Sequence, residues 1–354
     1  MRVVVVGAGI GGLCTALSLH AAGITDVTVY EAVEEIRPLG VGVDLLPDAV
    51  GELARAGLYD DVAEIAVTTE EVAFHDRFGA RIRTEPCGRA AGHAWPRLAV
   101  HHGELRMLLL RAQLAWLGPE SLRTGLRLCG YAQTADAVTV EFADASGRIV
   151  TDEADVLIAA DGVDSAGRAL MYPKEAPASG SGTVLWRGTS PAPPFLSGRS
   201  MLVVEDGPHT FVAYPIREAE GQRPALVTWL AERPFDDAPP GPVDADTDDA
   251  IELDAIARHF EDWDVDGLDI PTLIGNADVA YEYRMPDREP PPSWSDARVT
   301  LLGDAARATS AIRSRGATRA VLDARVLARE LAASVDPIEA IAAYEQARRP
   351  DTGA

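Results

Sequence analysis

A single lysine, Lys174, stands among 354 residues, so almost every positive side chain is an arginine. Schiff-base chemistry and a phosphate-loop lysine therefore have next to no candidates. Basic charge is scarce altogether: 32 Lys and Arg against 55 Asp and Glu leave a formal net charge of -23. That balance repels phosphate backbones and anionic membrane surfaces, which argues against nucleic-acid and membrane partners. Cysteine is equally sparse. Cys14, Cys87 and Cys129 are far apart, with no Cys-x-x-Cys pair, and read as free or buried thiols suited to a reducing cytoplasm. No apolar run approaches the roughly 20 residues of a bilayer-spanning helix, and the run at residues 3–6 stops at a glycine turn, too soon for a signal peptide. His-Glu-x-x-His and Gly-x-Ser-x-Gly are missing, and His20, His75, His93, His209 and His259 show no ligand spacing. Metal-dependent and nucleophile-elbow hydrolases lack residues to carry them, and no metal site is expected.

What is present is a chain 47% hydrophobic, enough for a large core in two lobes. Residues 3–6 are a β-branched run, 7–12 are glycine-rich, 13–22 carry helical apolar spacing and 27–30 resume as a strand. That order opens a parallel α/β sheet. Helical spacing returns at 104–116, 317–331 and 338–348, with strands at 138–142, 156–160 and 298–302. Between them, 183–188, 201–205, 209–214 and 225–231 are strand-like and bordered by proline-rich stretches. The fold expected is α/β: a Rossmann-like domain built from residues 1–70, 98–178 and 280–354, with an inserted, mostly-β substrate domain from 71–97 and 179–279.

Gly7, Gly9 and Gly12, with Gly11 between, match G-x-G-x-x-G directly after a strand and before a helix. Glycine permits the tight turn and close approach of backbone to a pyrophosphate, and the helix N-terminus offers free N–H groups. Glu31 stands at the end of the second strand, where an acid accepts from a ribose hydroxyl; it disfavours a 2′-phosphate and leaves FAD or NAD as the ligand.

Two further motifs carry a family resemblance. Ala160-Asp161-Gly162-Val163-Asp164-Ser165 with Arg168, and Leu302-Gly303-Asp304-Ala305-Ala306, resemble the DG and GD motifs of class A FAD-dependent monooxygenases, the para-hydroxybenzoate hydroxylase family. Residues 31–47, with Arg37, Gly40 and Gly42, and residues 101–110 are similar to segments of that family as well, and the flavin-dependent phenazine monooxygenases are the subgroup most resembled. The resemblance implies FAD held at Gly7, Gly9, Gly11, Gly12, Glu31, Arg37, His102, Arg106, Asp161, Gly303 and Asp304, with NAD(P)H as a transient reductant. It implies a monooxygenase that hydroxylates an aromatic or polycyclic small molecule, in secondary metabolism or aromatic catabolism, as a cytoplasmic monomer or homodimer. Trp186 and Tyr214 lie at positions similar to the family's substrate pocket, although aromatics in strands more often fill a core.

The chain departs from the family pattern after the GD motif. Arg307 stands in place of a histidine, Ala311 of a proline and Arg313 of a glycine, and Arg315 follows. His102 replaces an arginine that Arg106, one turn on, substitutes in part, and Asp48 stands where relatives often have histidine. Arg307, Arg313 and Arg315 admit three readings. They bind a substrate carboxylate or reduced-flavin charge; they are a solvated face; or flavin chemistry is lost. The last would leave a family descendant acting as a non-redox enzyme or small-molecule binding protein.

Overall fold

The computed structural model describes residues 1–175, 179–234, 252–265, 267–287, 290–307 and 315–350. The β-branched run at the start forms the strand Arg2–Val6, buried among apolar neighbours, and Gly9 caps the helix Ile10–Ala21. The strand Asp26–Tyr30 returns parallel to the first, with Val3 opposite Val27 and Val6 opposite Tyr30. Val156–Ala159 lies on the first strand's other side, also parallel, and Val299–Leu301 beyond it. The six-stranded sheet is closed by Ser295–Asp296 at one edge and Leu122–Arg123 at the other. Strands buried on both faces read as continuous apolar runs, as these do. The helices His102–Leu117 and Gly316–Ala333 join Ile10–Ala21 in covering the sheet.

A second sheet of seven strands, in the order 279–287, 179–192, 225–234, 209–217, 200–206, 71–75 and 81–86, is antiparallel except where Ser200–Asp206 runs parallel to Glu71–His75. Its two faces differ. Val184, Trp186, Leu202, Phe211 and Trp229 pack against Phe260, Trp263, Ile270 and Leu273. Leu185, Met201, Val212, Tyr214 and Leu230 face the other way, toward the six-stranded unit. A small sheet of Gly42–Leu45, Arg97–His101 and Ala66–Thr69 bridges the two, and the Gly42 N–H donates to the Thr228 hydroxyl at 3.0 Å. The α/β class is as the sequence implied, with the predicted strand, turn, helix and strand in their places.

Candidate functional site

The glycine turn shows what each position is for. Gly7 sits at φ +96°, and a Cβ there would lie 2.5 Å from the Ala160 carbonyl oxygen; a Cβ on Gly12 would lie 1.8 Å from the Gly7 carbonyl oxygen. Both are closed to any side chain. A Cβ on Gly9 would meet nothing within 4 Å, so the turn is tight inward and open outward. Neither Ile10–Ala21 nor Gly316–Ala333 carries an acid in its first turn, so both helix N-termini present unneutralised positive dipole ends.

Glu31, 9% exposed, accepts from the Ala8 N–H at 2.8 Å, the Val33 N–H at 3.1 Å and Arg106 Nη2 at 3.1 Å. A carboxylate has about four acceptor sites, so one remains for a ligand hydroxyl. Arg106 also donates through Nε to the Ala8 carbonyl at 2.8 Å. It therefore ties the helix His102–Leu117 to the turn and orients Glu31. Arg37 is 64% exposed and, among the described residues, paired only with exposed Glu35.

One cavity of about 680 Å³ runs from this turn to the seven-stranded sheet. Gly9, Gly11, His102, Gly303, Asp304, Arg315 and Tyr214 line it together, as do Ala160 and Gly162 on either side of Asp161. Gly7, Gly12, Glu31, Arg37, Arg106, Asp161, Trp186 and Arg307 are not among its lining residues. The Asp161 carboxylate accepts from the Ser165 hydroxyl and the Gly167 N–H, bracing the turn before the helix Ala166–Met171, and burial pushes its pKa up. Asp304 opens onto the cavity yet is hemmed in by protein. Burial, with Asp323 nearby, raises its carboxyl above the usual range against the pull of Arg319, Arg187 and Arg307. His102 is pushed down to about 4, first by burial and then by Arg187, Arg106 and His101, so it is neutral near pH 7.

The strand Ser179–Ala192 supplies the residue that the sequence reading passed over. Trp186 turns into the outer core, donating from Nε1 to Glu282 at 2.9 Å and stacking on His259 at 5.8 Å. Its neighbour Arg187 turns inward and lines the cavity. The signal was the period of two: with Trp186 on one face, Arg187 must take the other. Arg187 donates from Nη2 to the Gly42 carbonyl at 2.8 Å, its buried Nε has no hydrogen-bond partner, and it forms no ion pair among the described residues. By contrast Arg97, also lining the cavity, is paired with Asp44 at 2.8 Å. Tyr214 is 4% exposed and its phenol is held protonated by burial.

The arginines after the GD motif separate. Arg315 is exposed and lines the cavity at the N-terminus of Gly316–Ala333. Arg307 is 5% exposed and paired with Asp323, away from the cavity, which corrects its reading as a pocket residue or a solvated one. Ala311 and Arg313 lie outside the described residues.

The cavity suits FAD: an open-faced glycine turn and an Asp at a strand end line it, and Glu31, beside that turn though not among the lining residues, keeps a spare acceptor. No described helix is long and apolar enough to cross a membrane, and the described residues hold no His, Cys, Asp or Glu cluster of metal-binding kind. The FAD binding domain family matches residues 1–352. The chain is 41% identical over 357 residues to the phenazine 1,6-dicarboxylic acid hydroxylase of Lysobacter antibioticus, covering 99% of this chain and 87% of that protein. It is 30% identical over 359 residues to the 3-hydroxybenzoate 6-hydroxylase of Klebsiella oxytoca, covering 99% and 85%. Among solved structures, Klebsiella pneumoniae HpxO complexed with FAD and uric acid superposes with a TM-score of 0.81 at 27% identity, covering 98% of this chain and 84% of that one.

Proposed function

The chain belongs to the FAD binding domain family and is an FAD-dependent monooxygenase of the aromatic hydroxylase type; from that premise we propose how its cavity divides the work. Bound FAD, reduced by NAD(P)H, supplies the oxygen-activating chemistry. Gly7, Gly9, Gly11, Gly12 and the N-terminus of Ile10–Ala21 hold the pyrophosphate. Glu31 accepts a ribose hydroxyl, with Arg106 fixing its orientation and His102 lying alongside as a neutral neighbour. Asp304 accepts a ribityl hydroxyl. Arg315 and the N-terminus of Gly316–Ala333 set positive potential where negative charge accumulates on reduction. The segments 1–70, 98–178 and 280–354 form the cofactor domain, and 71–97 with 179–279 the substrate domain.

On the sheet face, Tyr214, Met201, Val212 and Leu230 form an apolar wall, and Arg187 brings a cation without a carboxylate ion-pair partner among the described residues. That combination suits a flat aromatic ring bearing an anionic group. A polycyclic aromatic acid is the substrate class, in secondary metabolism or aromatic catabolism. Side chains here orient substrate and exclude water; none serves as a nucleophile. The enzyme works in the cytoplasm, where NAD(P)H is supplied, as a monomer or homodimer, and its three unpaired cysteines suit that compartment.

The observation that carries this reading is the single cavity joining Gly9 to Arg187 and Tyr214. The non-redox alternative rested on Arg307, Arg313 and Arg315; with Arg307 withdrawn into a buried ion pair, nothing favours it. The test is a visible spectrum of the purified protein with FAD, then NAD(P)H under air, with phenazine carboxylic acids against uncharged phenazine. Bleaching and recovery with hydroxylation of the acids alone supports the reading; a protein that takes up no FAD, or turns over both alike, counts against it.

A further inference from the structure

Arg307 belongs to the GD turn: its main-chain N–H bonds to the Gly303 carbonyl at 3.0 Å. Its side chain runs from there into the protein. The guanidinium lies 4.9 Å from the centre of the Trp294 ring and donates in two directions, from Nη2 to Asp323 at 3.0 Å and from Nη1 to the Arg348 carbonyl at 3.1 Å. The second bond satisfies a carbonyl at the C-terminus of the helix Pro337–Arg348, where a cation is favoured. Asp323, fully buried in Gly316–Ala333, accepts from Arg348 Nε at 2.6 Å as well as from Arg307. One carboxylate thus joins the turn, the long helix and the final helix. Tyr344 adds a second tie, its hydroxyl donating to the Leu301 carbonyl at 3.2 Å.

Two cations and one carboxylate out of water are a poor way to hold helices together, because apolar residues of equal volume do so as well or better. What apolar residues lack is a directed donor from the turn to the Arg348 carbonyl. A fork-shaped donor such as Arg bridges a carboxylate and a helix-end carbonyl at once. Those two facts give the charged set a role beyond packing.

We propose that Arg307, Asp323 and Arg348 are positioning residues for FAD: they lock the Gly303–Asp304 turn to the two C-terminal helices, so that the Asp304 carboxylate is held where a cofactor hydroxyl meets it. This rests on the FAD reading of the cavity. The same set governs charge at Asp304, which faces Asp323 and Arg319 on the long helix, Arg187 on the sheet and Arg307 on its own turn. Asp323 is the like charge in that ring, and removing it makes Asp304 easier to ionise.

The test measures FAD affinity by flavin fluorescence quenching across the acid range, together with Tm, in the wild type, in Asp323→Asn, and in the combined variant Arg307→Met, Asp323→Leu, Arg348→Met. The combined variant should keep its Tm yet bind FAD about tenfold more weakly or worse. Asp323→Asn should carry the acid limb of FAD binding to lower pH, a shift that a merely structural role does not produce. A combined variant that is folded and binds FAD as tightly as wild type overturns the proposal, as does an acid limb that stays in place in Asp323→Asn. If the combined variant does not fold, the acid limb decides. A wild type that binds no FAD would overturn the cofactor reading itself, a separate outcome.

Discussion

The glycine turn and the Gly303–Asp304 turn stand at strand ends on one cavity, and they are held by opposite means. Backbone shape governs the first: an added Cβ would lie 2.5 Å from backbone oxygen at Gly7 and 1.8 Å at Gly12, and the ligand-facing position is left bare. Buried side chains govern the second, through an ion-pair set whose members are 16 and 25 residues apart along the chain. Recognition built from backbone tolerates no added atom; recognition built from side chains can be exchanged, provided the partners change together.

The sharpest way to break that contrast is at Gly12. Gly12→Ala drives a Cβ into the Gly7 carbonyl and should cost several kcal/mol, roughly the range of severe overpacking, leaving little folded protein in a thermal melt. Gly9→Ala, at the cap of the helix Ile10–Ala21, meets no protein atom within 4 Å; its Tm should stay within a degree or two of wild type while FAD affinity falls about tenfold or more as the pyrophosphate loses its approach. Equal damage from both would mean the turn is structural only. At the sheet end, Arg187→Met should raise the KM for a carboxylate-bearing substrate about tenfold with a much smaller change in FAD affinity; a loss of FAD affinity alone would move Arg187 to the cofactor side of the cavity.

A gentler probe uses pH. His102 is held near 4 in the folded protein against 6.5 when free, so as pH falls from 6.5 to about 4 the unfolded chain takes up a proton that the folded one refuses. Stability is lost over that window and the loss levels off below it. His102→Asn should flatten that part of the Tm-against-pH curve, and an unchanged slope would show that His102 is not its source. Smallest of all is Arg37→Ala: an exposed pair with Glu35 is worth about 0–1 kcal/mol, and FAD affinity should change less than about threefold. A larger loss would show that Arg37 reaches the cofactor.

The glycine turn was legible because its logic is local. A strand, four glycines, a helix and Glu31 all fall within 31 residues, and Gly7 and Gly12 each answer to a backbone contact. The α/β class followed from the same periodicities. The arginines were harder, since a cation in a sequence does not say whether it meets a cavity, water or a distant carboxylate. Arg307 finds Asp323 and the end of the last helix only once the chain has folded, and Arg315 keeps the cavity. Trp186 and Arg187 show a nearer miss. The strand was identified, but the aromatic drew attention to the face that packs on Trp263 and Phe260 when alternation pointed to its neighbour.

The strand order carries a consequence for how the chain is made. Arg2–Val6 is synthesised well before its partner on one side, Val156–Ala159, and that strand in turn waits for Val299–Leu301. Glu71–His75 likewise waits for Ser200–Asp206, its parallel neighbour in the second sheet. Pairings this remote in sequence are slow to close, so a nascent chain displays its nucleotide turn long before anything can hold it. Neither sheet is finished until Val279–Asp287 and Val299–Leu301 have emerged, and the exposed strands of that interval are where aggregation would begin.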